Sequence, residues 1–229
     1  MASTGVIDDY VTGLGRALRG PRGHKLDMVT EARDSLLDAA EALEGGGLDR
    51  AEAERVAVEE FGPISVIAPG YQEALSVAAG RRLAAVLFVT VPLTTLMWSV
   101  IWQFFPVAVS EYEARPVWFV PVARGLDILQ MLIGLLGGVA LFALGRGLRR
   151  IRRPLRVTRA LALFVWAMQP VVLALSVALM VGSRGPAGFS DYPPGVGMSL
   201  VSHALWMVQL YAATRCLRFS RHVPAPVPV

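Results

Sequence analysis

Four long runs without a charged residue constrain this chain more than any other feature. The first, Leu83 to Phe105, is 23 residues, which at about 1.5 Å per helical residue spans roughly 34 Å, enough to cross a hydrocarbon core of about 30 Å. The second span is expected from about 120 to 144, with an uncharged stretch from Ile128 to Gly145, and the third is another 23 residues from Ala160 to Gly182, interrupted by Gln169-Pro170. The fourth is expected from about 196 to 214. In lipid every backbone N–H and C=O must be satisfied within the protein, and segments of this length do so as helices. The spans therefore predict a four-helix transmembrane bundle over residues 80–217.

Charge supplies the orientation. Residues 1–79 carry 7 basic and 14 acidic side chains, and the remaining 150 carry 15 basic and 4 acidic. The basic surplus sits at the ends of the spans: Arg81 and Arg82 before the first, seven arginines from Arg146 to Arg159 between the second and third, and Arg215, Arg218 and Arg221 after the fourth. The intervening connections hold Glu111, Glu113 and Arg115, and then Arg184 and Asp191. Such a bias predicts arginine-rich ends at the cytoplasmic face, and so both termini inside a multi-pass protein of the cell membrane. The opening MASTGVIDDY has no basic stretch followed by an apolar core. It is expected not to act as a signal peptide, leaving the first span as its own insertion signal.

A sequence pI near 9.7 would ordinarily invite a nucleic-acid partner. Here the excess lies beside the membrane, while residues 1–79 are net −7 and would be repelled by phosphate, so no direct nucleic-acid binding is expected. The single cysteine, Cys216, excludes an internal disulfide and a cysteine zinc site, and is read as a packing residue. Neither a phosphate-cradling G-x-x-x-x-G-K-[ST] run nor a G-x-S-x-G elbow occurs. No cofactor and no enzymatic activity are expected.

Helical periodicity governs residues 1–79, and no segment alternates as a strand. A first helix is predicted over 6–19, with Ser3 or Thr4 as N-cap and Gly20-Pro21 as its stop. A second runs from about Pro21 to Leu43, with Leu26, Val29, Ala32, Leu36, Leu37, Ala40 and Leu43 inward, ending at Gly45-Gly46-Gly47. Asp49 with Glu52 reads as a capping box opening a third helix that closes at Gly62-Pro63. A fourth, short helix carrying Ile64, Ile67, Tyr71 and Leu75, with Pro69 near its middle, leads toward the membrane. From 218 a proline-spaced tail ending HVPAPVPV is expected to be extended. The whole is all-α: a small helical bundle, four spans and a tail.

The blocks LRGPRGHKLDMVTEARDSLLDAAEAL and GLDRAEAERVAVEEFGPISVIAPGYQ resemble the permease prefix domain 1 family, a helix-turn-helix-associated α-helical signalling domain. The resemblance covers about residues 8–77. It implies an all-helical cytoplasmic domain on a membrane protein, associated with a PadR-like transcriptional regulator and in some relatives fused to a transporter permease. The four spans themselves resemble no transporter family.

The acidic faces of the second and third helices form the candidate recognition surface, with Asp34, Asp38, Glu41, Glu59 and Glu60 as the partner-binding carboxylates and Phe61 and Tyr71 as apolar anchors. A basic regulator would be steered to such a face, which would compete with DNA for it. In the membrane half, Arg124 and Asp127 share a helix face and form either a ligand or proton site or an interfacial ion pair. His203, Gln169 and Gln209, with Gln103, Gln130 and Trp206, either line a small cavity or hydrogen-bond the helices together. The expected function is docking of a regulator for membrane-linked signalling, with the lipid bilayer and a second copy of the chain as further partners. The alternative is a subunit of an export complex, with Asp127, Gln169 and His203 along the route.

Overall fold

The computed structural model describes residues 5–105, 115–145, 153–182 and 193–221. Among them the fold is entirely helical: α1 (Val6–Ala17), α2 (Arg22–Gly45), α3 (Arg50–Phe61), α4 (Ile64–Phe104), α5 (Phe119–Gly145), α6 (Pro154–Gly182) and α7 (Pro193–Arg221). Four of these, α4 to α7, are long and apolar enough to cross a membrane. The expected acidic and arginine-rich connections, and the tail HVPAPVPV, lie largely outside the described residues.

The chain divides into two compact units, one formed by the residues up to Ala79 with those from Arg218 onward, the other by Gly80–Leu217. In the first unit the helix stops are chemical. Gly46 and Gly47 take up the last carbonyls of α2, and Gly47 adopts φ +103°, a backbone region open to glycine. At the end of α3, Gly62 sits at φ +99° and its N–H reaches the Val58 carbonyl at 3.2 Å. Asp49 caps α3 through its Oδ1, which accepts the Glu52 N–H at 3.0 Å. Only that half of the expected capping box forms, because the Glu52 carboxylate turns instead to Arg55, 2.6 Å away. The N-cap of α1 is Gly5, with no side-chain cap; Ser3 and Thr4 lie outside the described residues.

Burial follows the predicted stripes with one exception. Ile7 and Val11 of α1, Leu36 and Ala40 of α2, and Ala53 and Ala57 of α3 form one cluster. Leu14, Leu18 and Ala32 meet Ala68 and Leu75 of α4 in a second, and Tyr10, Val29 and Phe61 touch both. Leu26, expected on the inward stripe, is 63% exposed.

Three boundaries differ from expectation. The short fourth helix and the first span are a single helix of 41 residues, roughly 60 Å long and twice the hydrocarbon thickness. Between Tyr71 and Leu83 the chain holds good helix formers and no breaker stronger than one glycine, so nothing stops propagation. Pro69 lies only five residues from the helix start and removes a single backbone bond. At the other end, α7 continues through Arg221, so residues 218–221 are helical where a tail was expected. Likewise α6 opens at Pro154, a favoured first position, and takes in Arg156 and Arg159.

In the second unit Leu83, Ala84, Leu87 and Val91 of α4 pack with Ile133 and Ala140 of α5, with Leu161, Ala162 and Val165 of α6, and with Ala213 and Cys216 of α7. Close approach of α4 and α5 depends on glycine. A Cβ on Gly137 would stand 2.8 Å from the Leu87 Cβ and 3.2 Å from the Ala84 carbonyl oxygen. Small residues at such spacing let transmembrane backbones meet. Outward positions carry large apolar side chains, among them Leu96, Leu135, Phe142 and Leu200, each more than 60% exposed.

Candidate functional sites

In the first unit the carboxylates separate into two sets. On α3, Glu52 and Glu59 both engage Arg55, at 2.6 and 3.2 Å, and Glu54 lies 3.4 Å from Arg50. The Arg55 guanidinium, through hydrogen bonding and charge, holds the Glu52 carboxyl below its usual range. On α2, by contrast, Asp27, Glu31, Asp34, Asp38 and Glu41 follow one another at spacings of four, three, four and three residues, and all are exposed. No ion pair forms at any of these five among the described residues. Glu60 is likewise exposed.

The two expected apolar anchors are drawn inward. Phe61 packs edge-on against Tyr10, with ring centroids 5.9 Å apart, and Tyr71 joins the cluster around Leu14 and Leu75. The Tyr10 hydroxyl donates to the Gly62 carbonyl at 2.8 Å. Burial, and secondarily the nearby Tyr71, raises the Tyr10 phenol above its ordinary pKa.

Sequence reasoning missed the polar centre of this unit, Gln72, which is fully buried. Its Oε1 accepts the Arg19 N–H at 2.8 Å, while its Nε2 donates to the Arg19 carbonyl at 2.7 Å and to the Phe219 carbonyl at 3.2 Å. The available signal was a lone amide on the inward stripe of α4, between Ala68 and Leu75.

In the second unit, Gln169 and Gln209 serve as both expected alternatives, cavity lining and interhelical bonding. Gln169 Nε2 approaches Gln209 Oε1 at 3.5 Å, Gln209 Nε2 donates to Thr90 Oγ1 at 2.8 Å, and the Thr90 hydroxyl donates to the Val86 carbonyl at 2.6 Å. This chain of bonds ties α6 to α7 and α7 to α4. Pro170 has no N–H to offer the Trp166 carbonyl one turn back. Gln169 and Gln209 also border a cavity of about 110 Å³, together with Gln130, His203, Trp206 and the apolar Leu87, Val91 and Ile133. Gln103 is exposed and does not line it. Trp98 Nε1 donates to Ser202 Oγ at 3.0 Å on its rim, a contact that sequence reasoning also missed.

Arg124 and Asp127 lie in α5 and are both exposed. Among the described residues no ion pair joins them, so the expected interfacial pair does not form. Cys216 is fully buried, its Sγ 3.8 Å from the Thr158 carbonyl. Among the described residues no group of three or more His, Cys, Asp or Glu side chains is placed to hold a metal.

Comparison with known proteins finds no matching family, no similar curated protein and no similar solved structure. The class is defined by the architecture: a multi-pass membrane protein with four spanning helices and a helical unit built around its N-terminal segment.

Proposed function

We propose that the first unit is a cytoplasmic docking domain that uses the exposed face of α2 to hold a basic protein partner, a DNA-binding regulator of the PadR-like type, for membrane-linked signalling. The observation that carries this reading is the unpaired stripe Asp27–Glu31–Asp34–Asp38–Glu41. Like charges three and four residues apart on a helix repel by a few tenths of a kcal/mol per pair. On α3 arginines relieve that repulsion; on α2 nothing does. A stability cost confined to one face is what a surface tuned for a cationic partner incurs, and its field would steer association. The site acts by binding and performs no chemistry.

The arginines that flank the spans support an orientation with both termini on the cytoplasmic side. The resemblance of residues 8–77 to the permease prefix domain supports the same partner class. An acidic face that occupies a regulator's basic surface would withhold the regulator from DNA.

The test is co-purification of the full chain, embedded in nanodiscs, with a PadR-like regulator from the same cell. Retention of the regulator by the native chain, and its loss when Asp34, Asp38 and Glu41 are replaced by Asn, Asn and Gln, is the expected result. No retention, or equal retention by that variant, overturns the reading.

A further inference from the structure

The cavity of the four-span unit carries an inference independent of the docking reading. We propose that it binds a neutral, single-ring molecule bearing ring oxygens, the chemistry of a quinone or quinol headgroup.

Four properties of the lining lead to this class. First, among the described residues no Asp, Glu, Lys or Arg side chain borders the cavity. An anion, a cation or a zwitterion would enter without a countercharge in a low-dielectric setting, at prohibitive cost. Second, the indole Nε1 of Trp206 is buried and has no hydrogen-bond partner among the described residues. Buried donors are almost always satisfied, so an acceptor atom is called for at that point. The Gln130 amide and the Ser176 hydroxyl also border the space, and neither has a protein partner among the described residues.

Third, the imidazole of His203 borders the cavity. Its Nδ1 lies 2.7 Å from the Ser199 carbonyl, which can only accept, so Nδ1 donates there and Nε2 is the ring nitrogen left for a ligand. One ring oxygen would accept from Trp206, and a second, as carbonyl or hydroxyl, would meet His203 Nε2 in either of its roles. Fourth, size and shape agree. About 110 Å³ is of the order of the roughly 150 Å³ apolar cavity known to admit benzene. The faces of a ring would lie on Leu87, Val91, Ile133 and Val165. His203 is exposed and marks the opening, through which a substituent can extend between helices into lipid.

The experiment is equilibrium dialysis of the full chain in phosphatidylcholine nanodiscs, against empty discs, with two probes: 2,3-dimethoxy-5-methyl-1,4-benzoquinone carrying a decyl tail, and the same ring without the tail. The expected result is saturable uptake of one tailed probe per chain, weakened about tenfold by Trp206→Phe and by Gln130→Leu, since each removes one hydrogen bond and leaves a polar atom unmet. Trp166→Phe, at an outward position 46% exposed, leaves affinity unchanged. Binding of both probes within about threefold assigns recognition to the ring alone, and a soluble phenol or quinone then qualifies as the natural ligand. Binding of the tailed probe only assigns it to a lipid quinone. Uptake no greater than that of empty discs, or equal retention by both cavity variants, overturns the proposal and leaves a hydrated cavity. Should Trp206→Phe fail to fold, Gln130→Leu decides.

Discussion

The side-chain amide of Gln72 pairs with both backbone groups of Arg19, donating at 2.7 Å and accepting at 2.8 Å, as one strand residue would pair with another. The chain leaves α1 at this point and has no helical partner for either group, so α4 supplies one from a fully buried position. Replacing Gln72 with Leu removes three hydrogen bonds and strands the backbone of Arg19. The expected cost is about 3 kcal/mol. Hydrogen exchange on the full chain checks it directly: the Arg19 amide, protected in the native protein, becomes fast in the variant.

Gly137 and Gly134 belong to the same helix face but differ in what a methyl group would meet. At Gly137 the added Cβ falls 2.8 Å from Leu87 Cβ and 3.1 Å from a backbone nitrogen; at Gly134 the nearest atom is a Val91 methyl at 3.4 Å. Gly137→Ala is therefore expected to cost about 2 kcal/mol through forced separation of α4 and α5, while Gly134→Ala is tolerated. Thermal unfolding of the two variants in detergent separates them.

Tyr10 links stability to alkaline pH. Its phenol is raised above 10.0 in the folded protein, chiefly by burial. The unfolded chain thus loses its proton first, and the contribution of Tyr10 is intact below pH 10 and declines as pH rises through the folded value. Unfolding of the full chain followed from pH 8 to 11 should show a loss of stability above pH 10 that Tyr10→Phe flattens, although that variant starts about 1 kcal/mol lower without the bond to Gly62.

Neutralising the α2 stripe should leave the domain as stable as before or slightly more so. Each i,i+4 repulsion removed, such as Asp34 with Asp38, returns a few tenths of a kcal/mol. Added salt should have the same effect on the native chain, and less on the neutralised one, by screening. A melting temperature that falls on neutralisation would show that these carboxylates hold the fold together.

Gln209→Leu breaks the polar chain from α6 to α4. Because Thr90 keeps its bond to the Val86 carbonyl, the expected loss is only about 1 kcal/mol, typical of interhelical bonds in membranes. Unfolding in mixed micelles measures it.

Much of this architecture was legible from local chemistry. Gly46, Gly47 and Gly62 end helices because of what glycine's backbone permits, and uncharged runs of 23 residues mark spans by length alone. The features that escaped are relations between distant residues. Gln72 meets Arg19 across 53 positions and Phe219 across 147. Thr90 acquires meaning only from Gln209, 119 residues away. Merging of the fourth helix with the first span escaped for a different reason: an uncharged run marks the length that can cross a membrane, not how far the helix extends beyond it. Phe61, at the end of α3, and Tyr71, within α4, looked like surface anchors because an aromatic side chain is ambiguous until its neighbours are placed.

The carbonyl of Phe219 accepts Gln72 Nε2 and lies 3.2 Å from the Ser76 hydroxyl, so the end of α7 completes the unit that begins at α1. Synthesis makes α1 to α3 before, and residue 219 after, most of the apolar length of α4 to α7. The amino-terminal helices therefore lack this partner until the end of α7 has been made. A chain halted before residue 219 would leave the Gln72 amide and the Ser76 hydroxyl without this carbonyl, which ties the finishing of the unit to synthesis through α7.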